Sequence, residues 1–257
     1  MAFIPLYDGN PLRYIRHPWV AWGLIAVNAA VFFFFEGGLK GADEASVLSY
    51  GLIPALVDHV LPRPDDLAAI PEWATLFTYS FLHADFWHLG GNMIFLWVFA
   101  DNVEDCLGHV RFLIFYVICA IAAGGAYVLS SPASHAPVIG ASGAIAGVVA
   151  AYFLLYPYAK IWILAFGRIP LRLNALWVLG FWILFQVYAA FQTSNDDTAW
   201  WAHIGGLASG AILVLFLRRP GVRLFARPVP PVPAVVPRPA APPSIAPPDI
   251  DGPWTRR

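Results

Sequence analysis

The chain has 257 residues, of which 59% are hydrophobic and only 12% charged, with a formal net charge of −1. A water-soluble protein of this length could not cover its surface with so few charges, so the composition excludes an ordinary soluble globule. What remains is an integral membrane protein, with no nucleic-acid partner expected.

Residues 1–18 read as a cytoplasmic N-terminal segment. The first apolar run, 19–35, has roughly the 17 to 20 residues needed to cross about 30 Å of hydrocarbon. It is long for a signal-peptide core and no small-residue cleavage pattern follows, so it is expected to persist as an anchor. A long acidic loop comes next, with Glu36, Asp43, Glu44, Asp58, Asp65, Asp66 and Glu72. Residues 71–83 read as interfacial and 85–100 as the second span, although His83, Asp85 and His88 interrupt its apolar character. Four further spans are clear at 112–129, 139–156, 175–191 and 200–217. The expected fold class is therefore all-α, a polytopic bundle of six transmembrane helices spanning 19–217.

Between the second and third spans, Glu104 and Asp105 are expected to solvate or brace a loop. Cys106 in that loop and Cys119 within the third span stand in settings that do not favour a structural disulfide. Beyond residue 217 the chain becomes dense in proline, which sustains neither a helix nor a packed core, so 218–257 reads as a disordered cytoplasmic tail. Its PVPPVP run has the form of a ligand for a proline-reading domain, although a solvated tail is the plainer reading.

Basic residues are retained on the cytoplasmic side during insertion. With the N-terminus inside, thirteen of the 15 Lys and Arg residues fall on cytoplasmic segments and only Lys40 and Arg63 on outer loops. Both termini are thus expected in the cytoplasm, and the expected compartment is a prokaryotic plasma membrane.

The segment Gly140 to Ala151, GASGAIAGVVAA, places one hydroxyl, Ser142, among residues too small to fill space, as at the crowded centre of a helix bundle. His203 lies in a second such stretch, WWAHIGGLASG, with Gly206 and Gly210 spaced small-xxx-small. Both residues begin spans that run inward from the outer face, so they lie at similar depth. The second span adds His88 and Asn92, spaced i and i+4 on one helix face. A serine hydroxyl becomes a nucleophile when a neighbouring imidazole takes its proton. Cleaving an amide also builds negative charge on the carbonyl oxygen, and the Ser142 backbone N–H, the Asn92 amide and the His88 ring N–H are candidate donors to it. Gly140 and Gly143, flanking the serine, would let the substrate backbone and the facing helix approach closely. A metal site is disfavoured, because histidines at i and i+5 share a helix face poorly and no His-Glu-x-x-His pair occurs; no cofactor is called for.

Taken together, GASG around Ser142, AHIGG with Gly210 around His203, and HLGGN from His88 to Asn92 resemble the rhomboid family of intramembrane serine proteases in its basic six-helix form. The resemblance covers about 19–217. It implies a Ser142–His203 dyad without an aspartate, with His88, Asn92 and the Ser142 backbone forming the oxyanion hole. Gly206 and Gly210 would pack the sixth span on the fourth. The first loop would lie partly in the outer leaflet, with Trp73, Phe77, Tyr79, Phe81 and Phe86 at the interface, and Glu104 would stand where the family often carries a structural glutamate. The chain departs from the family twice. Ala146 occupies the position where some members stack a tyrosine on the histidine, and the first loop lacks the often-found tryptophan-arginine pair.

The function that follows is serine endopeptidase activity on membrane-anchored proteins, near the outer end of a transmembrane segment. The partners implied are membrane-protein substrates and the bilayer itself. Two readings compete with it: a catalytically silent family member that binds and escorts membrane clients, and a small-solute channel or transporter. The second lacks a polar path reaching both faces.

Overall fold

Apolar runs set the long helices of this chain. The computed structural model describes residues 3–38, 41–60, 68–192 and 199–227, and it is mostly helical. Helix α1, Trp19–Ala30, widens at its end into a π-helical turn, Val31–Phe35. Three short helices follow in the first loop: α2, Glu44–Tyr50, capped by the Asp43 carboxylate, then α3, Pro54–Val57, and α4, Thr75–Thr78. The long helices are α5, Phe86–Leu107; α6, His109–Ser130; α7, Ser142–Leu155; α8, Ala175–Ala190; and α9, Trp200–Leu217. By length and composition α6 and α9 are apolar enough to cross a membrane, while α1 with its π turn, α7 and α8 are shorter apolar helices.

Helix α9 packs most extensively on α6 and α7, because glycines remove the side chains between them. A Cβ on Gly206 would stand 1.9 Å from the Gly143 carbonyl oxygen, and one on Gly210 would stand 2.2 Å from that of Gly147. The backbones themselves form the contact, which is how small residues let helices associate closely. Around this seam the aromatic residues Phe95, Phe99, Phe112, Phe115, Tyr116 and Tyr152 fill the core.

The all-α expectation needs correction. Strands β1, Phe3–Asp8, β2, Lys160–Ala165, and β3, Ile169–Asn174, form an antiparallel sheet in the order β1-β2-β3. Ile161, Ile163 and Ala165 of β2 turn alternately into the core while Lys160 and Trp162 face outward, the half-buried alternation of a strand on a packed surface. A three-residue turn joins β2 to β3, with Phe166 and Gly167 both at positive φ (51° and 68°). The sheet lies at the end of the bundle where α5, α7 and α9 finish. Residues 3–8 therefore belong to the fold through their pairing with β2.

Two further boundaries shift. Helix α5 continues through Glu104, Asp105 and Cys106, which were expected in a loop; all three are buried. Glu104 accepts the Val20 and Ala21 N–H groups at 3.0 and 2.8 Å, and Asp105 accepts those of Arg13, Tyr14 and Ile15. These carboxylates brace, and water does not solvate them. The first pair caps α1 from another helix, since Pro18 at its start has no side-chain acceptor. Cys106 Sγ contacts the Tyr156 hydroxyl at 2.9 Å, and both cysteines are free.

The first residues assigned to the tail belong to the fold. Residues 218–227 fold back on the sheet end, where Arg219 N–H donates to the Cys106 carbonyl and Phe225 and Ala226 N–H donate to the carbonyls of Leu154 and Leu155. Only one proline, Pro220, falls in this stretch, so every other residue in it keeps its backbone donor. The PVPPVP run, Arg238, Arg256 and Arg257, together with Lys40, Arg63, Asp65 and Asp66, lie outside the described residues.

Candidate active site

At the end of the bundle opposite the sheet, the loop before α7 is shaped by backbone bonds. Leu52 and Val138 form a two-way bridge, at 3.0 and 2.8 Å, and the Gly140 N–H donates to the Tyr79 carbonyl at 2.9 Å. Tyr79 was expected at the bilayer interface, yet it is 1% exposed and its hydroxyl donates to the Ala120 carbonyl. The aromatic ring and its one polar atom are both satisfied inside, so it acts as a pin under the loop. Trp73 and Phe86 are exposed. Gly140 has φ 117°, a conformation L side chains rarely adopt, and a Cβ there would stand 2.7 Å from the His88 ring. The space at Gly140 thus belongs to His88.

Ser142 is the first residue of α7 and His203 the fourth of α9. Their side chains meet: His203 Nε2 lies 2.8 Å from Ser142 Oγ. The glycine seam sets this meeting, because Gly206 is one turn along α9 from His203 and touches Gly143, the residue after the serine. Gly143 also faces Ala123 of α6, where a Cβ would come within 2.6 Å of the Ala123 methyl.

Helix α5 brings His88 and Asn92 to the same place. Asp85, one of the polar residues that interrupt the apolar run, is the N-cap: its carboxylate accepts the Trp87 and His88 N–H groups at 2.7 and 2.8 Å. The Ala84 N–H points at His88 Nδ1 at 3.4 Å, which makes Nδ1 the acceptor and leaves Nε2 to carry the proton. Asn92 is buried, and its amide nitrogen has no hydrogen-bond partner among the described residues. An unpaired buried donor costs on the order of 1–3 kcal/mol, so its presence beside Gly140 singles it out. The Ser142 N–H joins these side chains as a first-turn helix donor without an intrahelical acceptor.

The rhomboid domain model matches residues 71–220. The chain belongs to the rhomboid family. Among its relatives, yeast (Saccharomyces cerevisiae) rhomboid protein 1, mitochondrial, is 34% identical over 143 residues, covering 52% of this chain and 38% of that protein. A Bacillus subtilis relative is 32% identical over 143 residues, covering 55% and 66%. Mouse presenilin-associated rhomboid-like protein, mitochondrial, is 29% identical over 167 residues, covering 61% and 40%. The chain spans less than two thirds of the length of these relatives. As a rhomboid, it is a membrane protein.

One polar residue at the rhomboid site was not singled out in the sequence. Gln186 of α8 is buried and its Oε1 lies 2.7 Å from His203 Nδ1. Trp182, one turn earlier, and Trp200 stand beside the imidazole, with ring centroids 6.4 and 5.9 Å away. A glutamine inside an apolar run was the available signal, since burying its amide is costly without a partner.

Proposed function

We propose that this rhomboid is an intramembrane serine endopeptidase that cuts membrane-anchored proteins within or near a transmembrane segment, at the outer end of the bilayer. The observation that carries the reading is the 2.8 Å approach of His203 Nε2 to Ser142 Oγ inside a bundle of apolar helices. In the reaction, Nε2 takes the hydroxyl proton as Oγ attacks the scissile carbonyl carbon. The carbonyl oxygen becomes an oxyanion, accepting hydrogen bonds from Ser142 N–H, Asn92 Nδ2 and His88 Nε2. Collapse of the tetrahedral intermediate breaks the C–N bond, and the imidazolium returns the proton to the leaving amine. A water molecule, deprotonated by the same nitrogen, then hydrolyses the acyl ester and frees Ser142. Helix-destabilising residues in a substrate would help, since a helical peptide bond is shielded.

The membrane arrangement proposed has six spans, formed by α1 with its π turn and by α5 to α9, within a protease domain of 19–217 and with both termini cytoplasmic. The bias of basic residues supports that orientation. A prokaryotic plasma membrane is the proposed location. The relatives include mitochondrial proteins and one from a bacterium, so fractionation of the native cells is the check on compartment. Single-span membrane proteins are the proposed substrates, and a proline-reading domain is a proposed partner of the tail.

The test is cleavage of a panel of single-span reporters in liposomes by the wild type, Ser142→Ala, His203→Ala and the double variant. Each variant is expected to lose cleavage while remaining folded, and the double is expected to be no worse than either single, because nucleophile and base act as one unit. Cleavage that survives Ser142→Ala would remove the serine mechanism. Reporter binding without cleavage by the wild type would support the silent, client-binding alternative.

A further inference from the structure

His203 carries its function on Nε2, but a neutral imidazole has one proton and two nitrogens. Only the form with hydrogen on Nδ1 presents a lone pair to Ser142. What the other nitrogen is bonded to selects that form. Ala146, one turn beyond the serine on α7, offers only a buried methyl group and makes no such bond. The partner comes from α8. Gln186 is 3% exposed, and its Oε1 sits 2.7 Å from Nδ1, opposite the serine on the ring. Trp182, four residues earlier and so on the same face of α8, lies at 32° to the imidazole, while Trp200 meets it edge-on at 87°. The two indoles limit tilting of the ring, and the glutamine limits rotation within its plane.

We propose that Gln186 is a positioning residue for the base: its amide oxygen accepts the Nδ1 proton of His203 and so holds the Nε2 lone pair on Ser142. The role rests on the serine-protease reading above. An amide could also turn over and donate to Nδ1, which would put the proton on Nε2 and point it at the serine, an inert arrangement. Burial strengthens whichever bond forms, because the local dielectric is low. The surrounding packing therefore has to choose, and a side chain that can only accept removes the choice.

That asymmetry supplies the test, made on the full chain in detergent. Gln186→Met keeps the length of the side chain and removes the acceptor. Gln186→Glu keeps the shape and, as the ionised carboxylate, makes the group an acceptor only. Positioning predicts that Met lowers kcat by about 10- to 100-fold, the range found when a partner orienting a metal-bound histidine is lost, with KM within about twofold, and that Glu retains most of kcat. A residue that merely fills apolar space predicts the reverse order, with Met tolerated and a buried carboxylate harmful. Nitrogen-15 spectra of histidine-labelled protein, with His203 assigned by its loss in His203→Ala, read the tautomer without reference to turnover. The Nδ1–H form is expected in the wild type and in Glu, and a mixture in Met. Unchanged tautomer and unchanged kcat in Gln186→Met would overturn the proposal. Equal reporter cleavage by wild type and Ser142→Ala would instead overturn the protease reading, and the spectra would still decide whether Gln186 sets the ring.

Discussion

The two ends of this bundle use their buried polar groups differently. At the sheet end, Glu104 and Asp105 together accept five backbone N–H groups, and Tyr152 donates to Asp8 at 2.6 Å. At the serine end, the Asn92 amide nitrogen and both ring nitrogens of His83 are buried without a partner among the described residues. Satisfied carboxylates brace, because each bond they make closes a backbone group that would otherwise be orphaned. An unsatisfied buried donor is costly to keep, and under the protease reading proposed above the Asn92 amide would meet its acceptor in the oxyanion. Number does not separate the ends, since the serine end also buries Glu36, Gln186 and His203, and Arg218 Nη1 lacks a partner among the described residues at the sheet end. What separates them is that the sheet-end carboxylates are bonded to backbone groups, whereas the Asn92 amide nitrogen beside Gly140 is not.

The strongest way to break this contrast is at the glycine seam, which sets the site without carrying any chemistry. Gly206→Val should abolish cleavage, because its first added carbon would lie 1.9 Å from the Gly143 carbonyl oxygen. Helix α9 must then move away, and misplacing a catalytic group by about 1 Å costs on the order of 100-fold. Reporter cleavage at wild-type rate by folded Gly206→Val would show that this contact does not set the distance between base and nucleophile.

A smaller loss sharpens the difference between donor and base. Asn92→Ala should lower turnover by roughly 10- to 1000-fold, the cost of one oxyanion donor, while Ser142 still reacts with a fluorophosphonate at a reduced rate. His88→Ala should follow the same pattern. His203→Ala should nearly eliminate labelling, since Ser142 then keeps its proton. If labelling is lost in His88→Ala and kept in His203→Ala, the base has to be reassigned to His88.

The smallest effect is at the sheet end and touches stability alone. Burial pushes the Asp8 carboxyl up to about 7; the Tyr152 hydroxyl pulls it partly back, and Asp101 pushes it up again. The folded protein thus favours the protonated acid. Its contribution to stability is complete below about pH 4, where the unfolded chain is protonated too, and is lost as pH rises through about 7. Asp8→Asn mimics the protonated form, so it should match the wild type near pH 4 and exceed it by about 1–3 kcal/mol at pH 8. Thermal unfolding in detergent across that range measures this. A variant less stable than the wild type at pH 8 would mean that the ionised carboxylate stabilises the sheet end.

Much of the molecule was legible in the amino-acid sequence because helices in apolar surroundings are written locally. The starts of α8 and α9 fall where the runs at 175 and 200 begin, and small residues around Ser142 and His203 marked a close helix contact. Besides residues 218–227 and Tyr79, three features were misread. The sheet was missed because β2 and β3 are six residues each and their alternating pattern sits among Lys160, Arg168 and Arg172, which were counted only as basic residues of a cytoplasmic segment. Residues 101–107 of α5 were read as leaving the helix, because Asp101, Glu104 and Asp105 look solvated until their backbone partners are known. Gln186 passed as one polar residue in an apolar run.

Residue type and periodicity alone thus determined the apolar character, the long helices, and which hydroxyl and which imidazoles stand among small residues. Local pattern suffices for these, since it reflects what each segment must bury. Tertiary structure decided the partners: Asp8 with Tyr152, Glu104 with the first turn of α1, and Gln186 with His203. These pairs join positions 17 to 144 residues apart. A hydrogen bond depends on where two groups meet in space, and nothing in either segment by itself records that meeting.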